Sequence, residues 1–300
     1  MSTVLTEEVN LLKEKNKPFW LDIIGSGFLF ASSYLALYIL YDYATAVTAA
    51  HFGLEPVLFF DTIKFNNNGA WYPRSVIITF SVGSVVMLVT GVGFYAAYQS
   101  VKRSSVLFRL SFIWLSLLSF VILAQRLVGV LFAKNFQFRD LDSKGLELAI
   151  VSAYNYFKSP AEFGLAVLGV VICILASLLF VKPFLQTASS VYQIDTPEYR
   201  RLFLRHYLFG PTVVGSILIT GINFPGNVVP NSIALVMLFI SLSTIHFAAM
   251  RFGTLIRKLS YAKYWSITAA TIYLFVALFI TSLLQYGINI PDPEIHGLFK

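Results

Sequence analysis

The residues of this chain that could do chemistry are few, and most sit at the ends of long apolar runs. Asp42 closes one run, Gln125-Arg126 interrupts a second, Glu162 opens a third and Asn223 closes a fourth. A charge deep in hydrocarbon costs roughly 2.5–3.5 kcal/mol on insertion scales, so each calls for a partner or a role. Arg126 lies about 10 Å from the end of its run, at about 1.5 Å per helical residue, and a guanidinium can snorkel over much of that distance. Asp42 and Glu162 fall at the same level. The spacing therefore predicts a polar cluster of Arg126 with at least one of Asp42 and Glu162, and with Gln125 and Asn223 beside it. Such a cluster can lock helices together, or it can line a path for a ligand or ion.

Other chemistries find no constellation in the sequence. The histidines are His51, His206, His246 and His296, and none has a second histidine three or four residues away. A zinc site needs three or four converging His, Cys or carboxylate ligands, so no metal site is expected. Cys173 is the only cysteine and stands in an apolar run, which suits a small apolar filler. Gly91-Val92-Gly93 lies within a run and suits close helix packing rather than a nucleotide. Asp22 and Arg109 fall at one level and could pair. His246 reads as a hydrogen-bonded histidine inside a bundle. No catalytic residue and no cofactor are assigned.

The stretch Phe28–Ser75 has an order of its own. An apolar helix runs through Tyr41-Asp42-Tyr43-Ala44-Thr45, continues through small residues to His51-Phe52-Gly53, and is followed by a strand-like segment 56–65, an Asn-rich turn 66–69 and a new apolar run from Ser75. This order resembles the first core segment of the site-2-protease-like intramembrane zinc metalloproteases. There an apolar helix carries His-Glu-x-x-His and leads to a glycine, a short membrane-associated sheet and a second span. The zinc ligands of that motif would fall on Tyr41 and Thr45, and its general base on Asp42. The later Leu-Asp-Gly ligand has an echo in Leu141-Asp142-Ser143-Lys144-Gly145. The resemblance thus implies a degenerate, proteolytically inactive member that lacks the His-Glu-x-x-His ligands.

These residues need a bilayer to position them. Of 300 residues 57% are hydrophobic and 12% charged, against about 25% charged in soluble domains. The fold class expected is an all-α polytopic membrane protein with about seven transmembrane helices, a short surface strand or hairpin after the first, and interfacial amphipathic helices. The spans are read as Phe19–Tyr41, Ser75–Tyr98, Val106–Ala133, Phe163–Val181, Tyr207–Phe224, Ser232–Gly253 and Ser266–Tyr286, at about 20 residues per crossing. The fifth is short, holds Pro211, and with the sixth reads as a helical hairpin. An amphipathic N-terminal segment (1–18), one transmembrane domain (19–288) and a short tail (289–300) complete the chain. Leu54–Phe65 is expected to be extended, with Val57, Phe59, Ile63 and Phe65 on one face. Ser143–Lys158 is expected to form an amphipathic helix on the membrane surface, and Pro197–His206 a short basic one capped at Thr196.

The net charge of +7 does not point to nucleic acid, because the basic residues lie at span ends. The N-terminus and segments 99–105, 182–206 and 254–265 hold 12 Lys and Arg. Segments 42–74, 134–162, 225–231 and the tail hold 7. That bias predicts a cytoplasmic N-terminus. The compact loops suggest a bacterial inner membrane. Three functions fit: a non-catalytic scaffold or complex subunit, a small-solute transporter or channel with a polar site around Arg126, and a lipid-modifying enzyme. The partners expected are membrane lipids and other membrane subunits.

Overall fold

A computed structural model describes residues 19–67, 71–101, 106–135, 147–188, 194, 196–223, 228–251 and 267–291. The amphipathic N-terminal segment expected over residues 1–18 lies outside these residues. In chain order the elements are α1 (Phe19–His51), β1 (Pro56–Leu58), β2 (Ile63–Phe65), α2 (Pro73–Ser100), α3 (Val106–Gly129), a 3₁₀ turn (Val130–Asn135), α4 (Glu147–Tyr154), α5 (Ser159–Leu185), α6 (Pro197–Leu204), a π-turn (Arg205–Phe209), α7 (Gly210–Asn223), α8 (Val228–Arg251), α9 (Ile267–Leu284) and β3 (Ile288–Asn289). Among the described residues seven helical segments are long and apolar enough to cross a membrane. The class expected from composition is the class found.

Two helices organise the bundle. α3 is enclosed by α1, α2, α5 and α8, while α1 also carries α7 and α9 on its flanks. Trp114 of α3 sits at the centre, edge-on to Phe30 of α1 and near Phe184 of α5, and its indole N–H donates to Ser26. Small residues set the closest crossings. A Cβ on Gly169 of α5 would meet the Ala124 carbonyl of α3 at 2.9 Å, and one on Gly27 of α1 would meet Val214 of α7 at 2.7 Å. Hydroxyls stitch the remaining seams: Ser116 of α3 donates to the Gly91 carbonyl of α2, and Ser177 of α5 to Ser241 of α8 at 2.7 Å.

α1 has 33 residues, about 50 Å at 1.5 Å per residue, against a hydrocarbon core of about 30 Å. It continues ten residues beyond Tyr41, the end of the apolar span, as the run of small residues to His51 predicts. The threonines in that extension send their hydroxyls back to the helix, Thr45 to the Tyr41 carbonyl and Thr48 to that of Ala44, so the added turns expose little polarity. The helix stops at Gly53, whose φ of 70° is left-handed. The Leu54 N–H reaches the Ala49 carbonyl and the Gly53 N–H that of Ala50, a Schellman ending.

The segment after Gly53 is a hairpin. β1 and β2 pair antiparallel, with Leu58 opposite Ile63, and the turn lies at 59–62, closed by the Phe59 N–H on the Thr62 carbonyl. That turn breaks the single apolar face expected along 54–65. Leu58, Ile63 and Phe65 are buried, whereas Val57 and Phe59 are only partly so. β3 adds to the free edge of β1, giving the order β2-β1-β3. Ile288 and Asn289, read as the end of the transmembrane domain and the start of the tail, therefore belong to the sheet. Gly287, at φ 76°, turns the chain back, and a Cβ there would meet the Phe59 ring at 2.7 Å.

Two further expectations are corrected. α6, the π-turn and α7 form one continuous segment, because the π-turn lets the helix reach Pro211 without an amide hydrogen at that position. The short basic helix is thus the entrance to the fifth span, capped at Thr196 as expected. Nor do the fifth and sixth spans pack together along their length: α6 meets the end of α8, where Arg200 donates to the Ala249 carbonyl, but α7 leans elsewhere. α7 lies on α1, drawn there by the glycine crossing, and α8 lies on α5 and α3.

Candidate functional site

The polar residues gather where α1, α3 and α4 meet, at the end of the bundle that carries the sheet. Arg126 enters from the last turn of α3. Its Nη1 lies 2.9 Å from Glu147 Oε2, and both side chains are fully buried. The contact is an ion pair without hydrogen-bond alignment, and Nε and Nη2 of Arg126 have no hydrogen-bond partner among the described residues. The guanidinium lies instead against aromatic rings, 4.5 Å from the Tyr41 centroid and 5.5 Å from that of Tyr38. A cation on such faces gains about 0.5–2 kcal/mol, most when water is excluded.

Each partner reaches Arg126 for a local reason. Tyr38 and Tyr41 are three residues apart on α1 and share one face. Tyr41 is held from behind, since Gly83 of α2 makes room for its ring and its hydroxyl sits 3.4 Å from Ser84 Oγ. Glu147 occupies the first turn of α4, where the exposed amide hydrogens of a helix start favour a carboxylate. Asp42 follows Tyr41 and is 3% exposed. It lies within electrostatic range of Arg126, Glu147 and Asp61. One guanidinium therefore pairs with Glu147 and has the buried carboxyl group of Asp42 within its electrostatic reach.

The sequence-predicted residues divide accordingly. Asp42 and Arg126 share this cluster. Gln125 is buried beside Arg126 in the chain, at 1% exposure. Glu162 is buried too, but it accepts a hydrogen bond from Ser152 Oγ of α4 at 2.9 Å and so anchors the other end of that helix. The Asn223 side chain lies outside the described residues, as does that of Asp22.

Glu147 is the residue that sequence reasoning missed. Segment 143–158 was read as a surface helix, but α4 buries Glu147, Ala149, Ile150, Val151 and Ser152 and packs on α2, α3 and the 3₁₀ turn. The signal lay in Glu147 itself, one carboxylate heading the run Leu148-Ala149-Ile150-Val151 with no polar face for a surface helix to present.

The remaining polar residues have structural settings. Arg109 Nη1 donates to the Gln186 carbonyl at the end of α5, a helix terminus that favours a cation. Gln186 Oε1 also accepts from the Tyr98 hydroxyl at 2.7 Å. His246 does not bond through Nδ1 and packs edge-on to Phe209 instead. Cys173 is buried, its thiol against the Met237 carbonyl. Among the described residues no three His, Cys, Asp or Glu side chains are grouped to hold a metal.

Comparison of the chain with protein-family models, with curated proteins and with solved structures found no match.

Proposed function

We propose that the chain is a non-catalytic integral membrane protein, a scaffold or subunit of a larger complex, in which the Arg126 cluster fastens the bundle. One observation carries this reading: α4 is clamped at both ends by buried polar contacts, Glu147 to Arg126 and Ser152 to Glu162. With Arg126, Glu147, Gln125 and Asp42 all at most 3% exposed, the cluster is built to hold elements together rather than to receive a solute. The order of α1, sheet and α2 keeps the resemblance to a proteolytically inactive site-2-protease-like protein within the same reading. The basic bias of the connections supports a cytoplasmic N-terminus, and a bacterial inner membrane is the proposed location.

A second reading, a small-solute transporter or channel, is favoured by a different observation. Arg126 keeps two donors without hydrogen-bond partners, and the buried Asp42 lies within its electrostatic reach without forming its ion pair. Such a site can take an acceptor group if the helices part. Purified protein in liposomes separates the two readings. The scaffold predicts no solute or ion flux above that of empty vesicles, and a stoichiometric protein subunit that stays bound through gentle extraction. A flux that Arg126→Met abolishes while the variant remains folded would overturn it.

A further inference from the structure

On the outer side of the bundle one face of α8, with Leu178 of α5 at its edge, leaves a groove of about 620 Å³, lined by Phe239, Ile240, Ser243, Thr244, Phe247 and Ala248, with Arg251 at one end. Behind it the helices are sealed by the Ser177–Ser241 hydrogen bond. Phe239 to Arg251 spans twelve residues of α8, about 18 Å at 1.5 Å per residue. That is close to the depth of one leaflet, half of a core of about 30 Å. The groove is mostly apolar over this depth, with only the hydroxyls of Ser243 and Thr244 along it, and is charged only where α8 ends, at the face opposite the sheet.

Arg251 is placed to meet an external anion. The last carbonyls of α8 are already taken by Arg200, whose Nη1 donates to Ala249 at 2.9 Å and also to Met250. Arg251 is exposed, and no hydrogen bond or ion pair engages it among the described residues. The segment that follows, 252–266, contains no Asp or Glu. The connections at this face carry 12 Lys and Arg against 7 at the other, so the adjoining headgroup layer attracts anionic lipid.

We propose that this groove binds one anionic phospholipid of that leaflet, an acyl chain lying along α8 beside Leu178 of α5 and its phosphate on Arg251. A partner transmembrane helix would need a groove through both leaflets, and this one runs through one. The proposal is independent of the scaffold reading.

Native mass spectrometry of the full chain, released from nanodiscs of equal phosphatidylglycerol and phosphatidylethanolamine, tests it. The wild type should retain one lipid, preferentially phosphatidylglycerol. Arg251→Ala should reduce that preference about fivefold, the equivalent of one basic residue at a membrane surface, and Arg251→Lys should keep most of it. Ser243→Trp, which fills the groove, should lose the retained lipid of both kinds. Phe275→Trp on the exposed face of α9 should retain it. Equal retention of the two lipids by the wild type would overturn the proposal. So would an unchanged preference in Arg251→Ala, or a second copy of the chain held at this face in place of lipid.

Discussion

Removing Glu147 tests the clamp most directly. At 2.9 Å the Coulomb attraction between Arg126 and Glu147 is about 6 kcal/mol at an effective dielectric of about 20. The cost of taking both charges out of water cancels much of it. The pair therefore matters less for its net worth than for what is stranded when one member goes. Glu147→Ala leaves Arg126 with Asp42 and the two tyrosine faces, so its loss should lie at the low end for a broken buried pair, about 3 kcal/mol. Arg126→Met strands both Glu147 and Asp42 and should cost more, about 5 kcal/mol. The double variant Arg126→Met with Glu147→Leu leaves one carboxyl group and should recover to within about 1.5 kcal/mol of Glu147→Ala or better. Reversible unfolding by steric trapping in bicelles measures these values, and hydrogen exchange across 147–154 reports whether α4 has come loose. The reasoning fails if Glu147→Ala changes stability by less than about 0.5 kcal/mol. It fails equally if Arg126→Met proves milder than Glu147→Ala, because the second carboxylate would then not belong to the cluster.

Gly83→Leu should push Tyr41 off the guanidinium, since even a Cβ there meets the ring at 2.6 Å; a loss of about 1–3 kcal/mol, with a changed near-ultraviolet tyrosine signal, is the expected result. Ser177→Ala and Ser241→Ala each break the bond behind the α5–α8 groove, and their double-mutant cycle should give a coupling of about 0.6 kcal/mol. Single cysteines in place of Lys64 and Asn289, in a Cys173→Ala background, should react with an impermeant maleimide from the same side of the membrane, because β2 and β3 flank one strand. Labelling from opposite sides would break the assigned topology.

The spans were legible because an all-round apolar helix leaves a continuous run, and lipid requires one. Places where a polar residue enters the interior were harder. Arg126 and Asp42 stood out because they interrupt or end long runs. Glu147 did not, because α4 is short and flanked by Gly145, Asn155 and Lys158, so its segment looked like surface. The apolar run Leu148-Ala149-Ile150-Val151 was the local sign that α4 is buried, but the hollow between α2 and the end of α3 that receives Glu147 is tertiary, and no local pattern encodes it. The hairpin shows a similar limit. Alternation along 54–65 pointed to an extended chain, yet a turn at 59–62 reset the parity, and only the later return of Ile288 and Asn289 to β1 explains which edge had to stay open.

That return also decides the number of crossings. Charge alternation alone leaves the fifth span open, since it is short and holds Pro211, and dropping it would move every later segment to the other side. The sheet removes this freedom. β1 follows directly on α1, β3 follows directly on α9, and the two are hydrogen-bonded neighbours, so α1 and α9 end at the same face. An even number of crossings must lie between those ends. α2, α3, α5, α8 and α9 make five, and α6 with α7 supplies the sixth. The π-turn at Arg205–Phe209 lets a proline-bearing segment complete that crossing as one helix. A three-strand sheet of eight residues in all thereby fixes what the hydropathy of the fifth span leaves open, and with it the face on which Arg126, Asp42 and Glu147 meet.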